Sequence, residues 1–239
     1  LNTAASSGTA VSLPLLMLIG LDPVTANATN RIPVLIGAVS ATTSFHRKGL
    51  VPWRLAIRVS LPVTVGALIG AALAEVIPGR DLGLIITGAV LVALLLLFTK
   101  LKQAIENAPA GDIRYGNKEI LIFLLIGVWL GFIVLDGATY LLLALTLGVS
   151  LPLVQSNAVK SAALIPTSLI AIVVFAMKGN LDWTLGLVTG AGCVVGALFG
   201  ARLAAHEAAR KWVFRLLVAV ILAELAHLAM HYILKTKGF

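Results

Sequence analysis

Long runs of apolar residues, separated by short polar or basic segments, cover most of this chain. Six of them are long enough to cross the roughly 30 Å hydrocarbon core of a bilayer, which takes about 20 residues of helix. The pattern predicts membrane-spanning helices at 24–45, 55–77, 82–98, 153–177, 183–205 and 212–234. A seventh run, 120–147, is longer and carries the polar sequence VLDGA in its middle. This run predicts a broken or re-entrant helix, because free backbone groups at membrane depth must face protein or water.

The chain repeats itself at an offset of 130 residues. The stretch KGLVPW at Lys48 corresponds to KGNLDW at Lys178, and VGALIGAALA at Val65 corresponds to VGALFGARLA at Val195. A repeat of this length indicates an internal duplication. The sequence therefore predicts an all-α polytopic membrane protein with two homologous helical repeats, each with a broken or re-entrant element and three spans.

A soluble linker of mixed charge, with proline and glycine, separates the two repeats. We place the first membrane repeat at residues 1–99, a cytoplasmic linker at 100–118 and the second membrane repeat at 119–239. The first repeat lacks a counterpart to the first half of the broken element, and the chain has no initiator methionine. From this we expect that the true start of the protein is missing.

The relative orientation of the repeats depends on the broken element. If it crosses the membrane fully, the repeats are parallel, and if it dips in and returns, they are inverted. Counting the lysines and arginines in the loops does not distinguish the two arrangements. We favour inversion, because short interrupted apolar segments at matching places in two halves are typical of secondary transporters.

Composition also indicates a membrane protein. Hydrophobic residues make up 59% of the chain and charged residues 12%, and the mean hydropathy is +1.03. These values exclude a water-soluble domain of average composition. The net charge of +8 lies in short clusters between apolar runs, which fits membrane topology better than nucleic-acid binding. The single cysteine, Cys193, lies inside an apolar run and provides no disulfide or paired thiolate site.

Small residues recur at four-residue spacing in corresponding spans. Gly66 and Gly70 in the first repeat match Gly196 and Gly200 in the second. Such pairs let helix backbones approach closely inside a membrane. We expect them to serve helix packing rather than to contact a substrate.

Polar residues at the start of two corresponding spans are the strongest candidates for a binding site. Each repeat places an asparagine three or four residues before a cation, which puts both on one helix face. A helix N-terminus carries free N–H groups and partial positive charge, so an added cation there predicts a site for an oxyanion. The alternative is that the cations reach the headgroups and the asparagines cap or bridge helices. The predicted substrate-binding residues are Asn27, Asn30, Arg31, Asn157, Lys160 and Ser161, with Ser6, Ser7 and Thr139 as neutral donors from the broken elements.

Three further ionisable residues are candidates for ion coupling. Asp136, beside the predicted break, either caps the following half-helix or binds a coupling proton. Glu224 and His227 share a face of the last predicted span with His231 and are candidates for a proton relay. Their spacing also resembles that of metal ligands, but three ligands on one helix without a second motif do not favour a metal site. We expect no cofactor.

The order of these motifs resembles a known transporter family. The segment SLPLLMLIGLDPVTANAT, the basic HRKG loop and VPWRLAIR leading into VGALIGAALA are similar to the TauE/SafE sulfite exporter family, also called the toluenesulfonate uptake permeases. The resemblance covers nearly the whole chain apart from the linker and the start. It implies an ion-driven transporter of a small sulfur-containing oxyanion, such as sulfite, thiosulfate or a sulfonate, in the bacterial inner membrane. Where the family commonly has a glycine-rich run, this chain reads AASSG, which favours hydroxyl donation by Ser6 and Ser7.

Other function classes have less support in the sequence. No HExxH, GxSxG, Walker or dinucleotide motif occurs, so we expect no enzyme. An anion channel of the same fold is the second interpretation, and a membrane-embedded enzyme or redox subunit is the third. The expected partners are a small anionic substrate and membrane lipid, with no nucleic acid, and a homo-oligomer is compatible with the sequence. We expect proton coupling.

Overall fold

All regular structure in the described part of the chain is helical. The computed structural model describes residues 8–97, 113–135 and 137–203. In chain order, the helices are α1 (Gly8–Leu18), α2 (Pro23–Thr29), α3 (Arg31–Arg47), α4 (Trp53–Val76), α5 (Gly79–Leu97), α6 (Asn117–Phe132), α7 (Gly137–Leu143), α8 (Leu153–Met177) and α9 (Trp183–Leu203). A π-helical turn, Ala144–Gly148, follows α7 directly. The predicted all-α class is confirmed for these residues.

Two helices of the described chain, α4 and α8, are long and apolar enough to cross a membrane. Their bounds agree with the predicted spans at 55–77 and 153–177 within two residues. Helices α5 and α9 lie where the spans at 82–98 and 183–205 are predicted. The predicted span at 212–234 and residues 100–112 of the linker lie outside the described residues.

The prediction of one continuous helix over 24–45 is wrong. Helix α2 ends at Thr29 and α3 begins at Arg31, with Asn30 between them. Pro33 explains the interruption, because it has no N–H to donate to the Thr29 carbonyl and its ring crowds that carbonyl. The start of α2 is well defined, since the Asp22 carboxylate accepts the N–H groups of Val24 (3.0 Å) and Thr25 (3.1 Å).

The run 120–147 is interrupted where the sequence predicts it. Helix α6 ends at Phe132 and α7 begins at Gly137, where a Cβ atom would overlap the Leu130 side chain. After the π-helical turn, the chain returns to the start of α6, where the Arg114 N–H donates to the Val149 carbonyl at 3.2 Å. The two ends of this broken element therefore lie next to each other.

Helix α8 runs in the same direction as α4. The Tyr115 hydroxyl, which precedes α6, donates to the Arg58 carbonyl near the start of α4 at 2.7 Å, and this is the end at which α8 begins. At the other end, Asn180 Nδ2, just after α8, donates to the Glu75 carboxylate at 2.7 Å.

Helix α3, which corresponds to α8 at the offset of 130, runs the opposite way. It begins where Arg31 lies over the Phe175 ring, near the end of α8. It ends where Trp53 Nε1 donates to His46 Nδ1 at 3.3 Å, beside the start of α4. Opposite directions in corresponding helices are what an inverted arrangement requires.

Turns and helix ends also correspond at this offset. Helices α4 and α9 begin at Trp53 and Trp183, and α3 and α8 end at Arg47 and Met177. Backbone φ angles are positive at matching positions: Gly49 (65°) and Gly179 (75°), and Gly20 (105°) and Ser150 (61°).

Glycines bring the α4 and α6 backbones into direct contact. A Cβ atom at Gly66 would overlap the Leu124 carbonyl, and one at Gly70 would overlap the Val128 carbonyl. From α6, a Cβ atom at Gly127 or Gly131 would overlap α4 in the same way. The packing role of Gly66 and Gly70 is confirmed, and that of Gly196 and Gly200 stays a prediction.

Candidate functional site

The break after α6 is held by Arg31 from the first repeat. The side chain is 1% exposed, and its guanidinium donates to the carbonyl oxygens of Leu130 and, at 2.8 Å, of Gly131. These carbonyls belong to the last turn of α6, where no later N–H of the helix can reach them. They also form the negative end of the helix dipole, which favours a cation. Arg31 therefore caps α6 from a different helix.

Asn27 bridges the two sides of the same break. Its Nδ2 donates to the Phe132 carbonyl at 2.8 Å, and its Oδ1 accepts the Val134 N–H at 3.2 Å. The Oδ1 also accepts from the Arg31 guanidinium at 3.4 Å, so the asparagine and the cation do share one helix face. Asn27 thus bridges the end of α6 and the segment after it, and its role in substrate binding stays a prediction.

Two buried N–H donors at this place have no acceptor among the residues that the structure describes. They are Nε of Arg31 and Nδ2 of Asn30, and both side chains are fully or almost fully buried. The Asn30 side chain is oriented by Ser12, whose hydroxyl donates to its Oδ1 at 2.7 Å. In the part of the chain that the structure describes, no carboxylate pairs with Arg31. The site therefore has positive charge and spare donors, which suits a negatively charged oxygen.

The polar residues of the second repeat form a separate group in the first turns of α8. Asn157 Nδ2 donates to the Leu153 carbonyl at 3.0 Å, and Ser161 Oγ donates to the Asn157 carbonyl at 2.8 Å. Lys160, 7% exposed, donates from Nζ to Asn157 Oδ1 at 2.9 Å. Here too the asparagine and the cation share a face, but these contacts stay within one helix.

The structure does not bring the two groups into contact in its described part. Arg31 lies against Phe175, which is 15 residues beyond Lys160 on α8. A rise of 1.5 Å per residue puts these two positions about 22 Å apart along the axis. Thr139 is half-buried in α7. Ser6, Ser7, Asp136, Glu224 and His227 lie outside the described residues, and their roles stay predictions.

Sequence reasoning misses the groups that Arg31 and Asn27 bind. These are backbone atoms of Leu130, Gly131, Phe132 and Val134, which carry no side-chain signature. The indirect signal is that a helix interrupted at membrane depth must leave carbonyls in need of donors. Ser12 gives no signal of its own in the sequence.

Comparison with known proteins identifies the family. The profile of the family described as "Sulfite exporter TauE/SafE" matches residues 1–228. The chain belongs to this family. TauE/SafE membership confirms the resemblance predicted from the motifs, and it identifies the chain as a transmembrane transporter.

Several relatives of this TauE/SafE chain carry transporter names. "Probable membrane transporter protein ORF9" of Sinorhizobium sp is 27% identical over 229 residues, which are 93% of this chain and 85% of that protein. A "Probable membrane transporter protein" of Haemophilus influenzae is 27% identical over 210 residues, 85% of this chain and 79% of that protein. "Probable membrane transporter protein YfcA" of Escherichia coli K12 is 26% identical over 207 residues, 85% of this chain and 75% of that protein. No solved structure matches the chain.

Proposed function

We propose that this TauE/SafE protein is a secondary transporter of the bacterial inner membrane that moves a small sulfur-containing oxyanion, coupled to protons. Sulfite, thiosulfate and sulfonates are the substrates that we favour. The family description, which names sulfite export, and the transporter names of the relatives support this proposal.

One observation carries the choice of an anion. The Arg31 side chain is buried, and within the described ranges it has no carboxylate partner, while its Nε and the adjacent Asn30 Nδ2 have no acceptor there. A cation inside a membrane protein is costly, so its retention calls for a function. A sulfur oxyanion presents several negatively charged oxygens, each able to accept one of these N–H groups.

We further propose that the two halves are inverted repeats that alternate access to the pathway. The opposite directions of α3 and α8 and the matching helix ends at an offset of 130 support this arrangement. Inverted repeats typically place broken helices near the substrate and move against one another. The Asn157–Lys160 group lies at a different depth from Arg31. In this arrangement it contacts the substrate nearer the opposite membrane face.

Uptake into proteoliposomes tests the proposal. Purified protein should transport radiolabelled sulfite or thiosulfate saturably, and Arg31→Gln should abolish uptake. Arg47→Gln removes the same charge from an exposed position at the end of α3 and is the matched control. Wild-type uptake by Arg31→Gln would exclude Arg31 from the site, and no uptake of any sulfur oxyanion would refute the substrate class. Unitary currents in place of saturable flux would identify a channel.

Proton coupling needs a separate measurement. An imposed pH gradient should drive sulfite uptake in the wild-type protein. Glu224→Gln and His227→Gln should uncouple uptake from the gradient if these residues relay protons. An unchanged response in both variants would leave them with structural roles.

A further inference from the structure

A groove of about 380 Å³ lies on the outer surface between α4 and α8. One wall consists of Trp53, Ile57 and Leu61 of α4, which are 44%, 58% and 64% exposed. The other wall is formed by Ala162, Ile165 and Pro166 of α8. The lining is largely apolar, and the Ser60 hydroxyl within it is bonded to the Ala56 carbonyl at 2.7 Å. In a transmembrane transporter, an exposed apolar groove of this kind is suited to contact with lipid.

The two corresponding helix pairs are filled differently: isoleucines on α3 give way to smaller side chains on α8, while Ala56 and Ser60 of α4 stand where α9 has glycines. In the α3–α9 pair, Ile32 and Ile36 lie directly against Gly186 and Gly190. At the offset of 130, Ala162 and Pro166 take the positions of Ile32 and Ile36. The side chains that close the α3–α9 contact are therefore missing from the α4–α8 contact.

Exposed basic residues lie next to Trp53 in the sequence, at the start of α4 and in the loop before it. Arg54 and Arg58 are exposed, one turn apart on α4, and Arg47 and Lys48 precede them in the connecting loop. The chain has no acidic residue from Pro23 to Ala74. Glu119 of α6 also lies near this end, where its carboxylate accepts the Gly116 N–H at 2.8 Å. The local charge therefore remains positive.

The corresponding end of the α3–α9 pair has a different charge. Asp182 stands directly before Trp183, and Thr184 and Val188 take the positions of Arg54 and Arg58. Lys178 and Glu75 also lie at that end. Charge at this end is mixed, and the contact beside it is filled.

We propose that the α4–α8 groove is a binding site for one anionic phospholipid, whose acyl chain fills the groove and whose headgroup phosphate contacts Arg54 and Arg58. Trp53 is suited to the boundary between the acyl chain and the headgroup, because tryptophan prefers the membrane–water interface. Its indole is held in place by His46, with a ring-centroid distance of 5.5 Å. Basic pockets beside membrane helices recognise anionic headgroups in this way. The proposal concerns a lipid site and does not depend on which substrate is transported.

Fluorescence quenching by brominated lipid tests this site in the full chain. The protein is placed in phosphatidylcholine vesicles with a minor fraction of dibrominated phosphatidylglycerol or dibrominated phosphatidylcholine. The Trp53 signal is the difference in fluorescence between the wild-type protein and the Trp53→Phe variant. We expect the brominated phosphatidylglycerol to quench Trp53 more strongly, and we expect Arg54→Gln or Arg58→Gln to lower that preference about fivefold each. Ala162→Ile, which copies Ile32, should remove the quenching by filling the groove.

Trp183 provides the matched control, because it occupies the corresponding position beside a filled contact of mixed charge. The signal that Trp183→Phe removes should be quenched equally by the two lipids. Equal quenching of Trp53 by both lipids would overturn the proposal, even if Ala162→Ile fails to fold. A Trp53 signal shielded from both lipids would overturn it as well, since it would mean that a second copy or another segment covers the groove.

Discussion

The two asparagine–cation pairs have similar sequences but make different contacts. Arg31 and Asn27 bind backbone groups of α6 and the break, about 100 residues away along the chain. The contacts of Asn157 and Ser161 are with the first turns of their own helix, and Lys160 donates to Asn157. The helix is interrupted at Asn30 in the first repeat, whereas α8 is continuous through Lys160.

This difference indicates that the first pair orients a broken element, whereas the contacts described for the second pair lie within α8. A helix end left open inside a membrane must find donors elsewhere. Arg31 supplies two of them to α6 and keeps Nε for another acceptor. The same side chain thus connects the geometry of the break to the proposed anion site.

The largest effect is expected from removing the cap on α6. Arg31→Ala should lower the free energy of unfolding by about 3 kcal/mol, since each buried acceptor without a donor costs about 1–3 kcal/mol. It should also abolish sulfite uptake. Arg31→Lys should retain only part of the stability and part of the sulfite uptake, because an ammonium does not reproduce the planar fork of a guanidinium. Unfolding in detergent and proteoliposome uptake measure the two effects, with exposed Arg47→Ala as the control.

A smaller loss is expected from disturbing the last turn of α6. The Gly131 carbonyl binds Arg31, and a Cβ atom at Gly131 would overlap the Ala67 backbone. Gly131→Ala should therefore cost about 1–3 kcal/mol through overpacking. Gly37→Ala is the control, because a Cβ atom there meets nothing within 4 Å and should be neutral or stabilise by up to about 1 kcal/mol. Equal thermal stability of the two variants would contradict the close approach of α4 and α6.

Much of the helical framework is predictable because it depends on local sequence. Helices α4 and α8 follow from long apolar runs, and the interruption before Gly137 follows from a polar sequence inside such a run. The interruption at Asn30 is missed although Pro33 carries its cause, because residues 24–45 fit a single span by length and overall composition. Periodicity alone gives no indication of a break in such a run.

The candidate site is predictable in composition but not in contacts. Asn27 and Arg31 stand out as polar residues in an apolar span, and their shared face follows from their spacing. Their partners are backbone atoms of α6 and the break, whose position depends on how that element returns. No sequence rule relates residue 31 to residue 131. The same limit applies to the groove, since Ala56 and Ala162, which both line it, belong to two helices that are far apart in the sequence.

Comparing the two asparagines sharpens the contrast further. Asn27→Ala leaves the Phe132 carbonyl and the Val134 N–H without partners and should cost about 1–2 kcal/mol. Asn157→Ala removes bonds within α8 and should cost about 0.5 kcal/mol. A loss at Asn157 as large as that at Asn27 would mean that the second pair also supports another element. Chemical unfolding of both variants under one set of conditions gives the comparison.

A similarly small effect on stability is expected from removing the hydroxyl that orients Asn30. Ser12→Ala removes the bond to Asn30 Oδ1 and should cost only about 0.6 kcal/mol, the average for a hydrogen bond between membrane helices. The apparent affinity for sulfite should fall nevertheless, because Asn30 Nδ2 would no longer be held towards the substrate. Thr43→Ala is the control, since that exposed hydroxyl bonds only to the Val39 carbonyl of its own helix, at 2.8 Å, among the described residues. If both variants keep the wild-type affinity in uptake measurements, Asn30 Nδ2 does not contact the anion, and Arg31 remains as the donor to be tested.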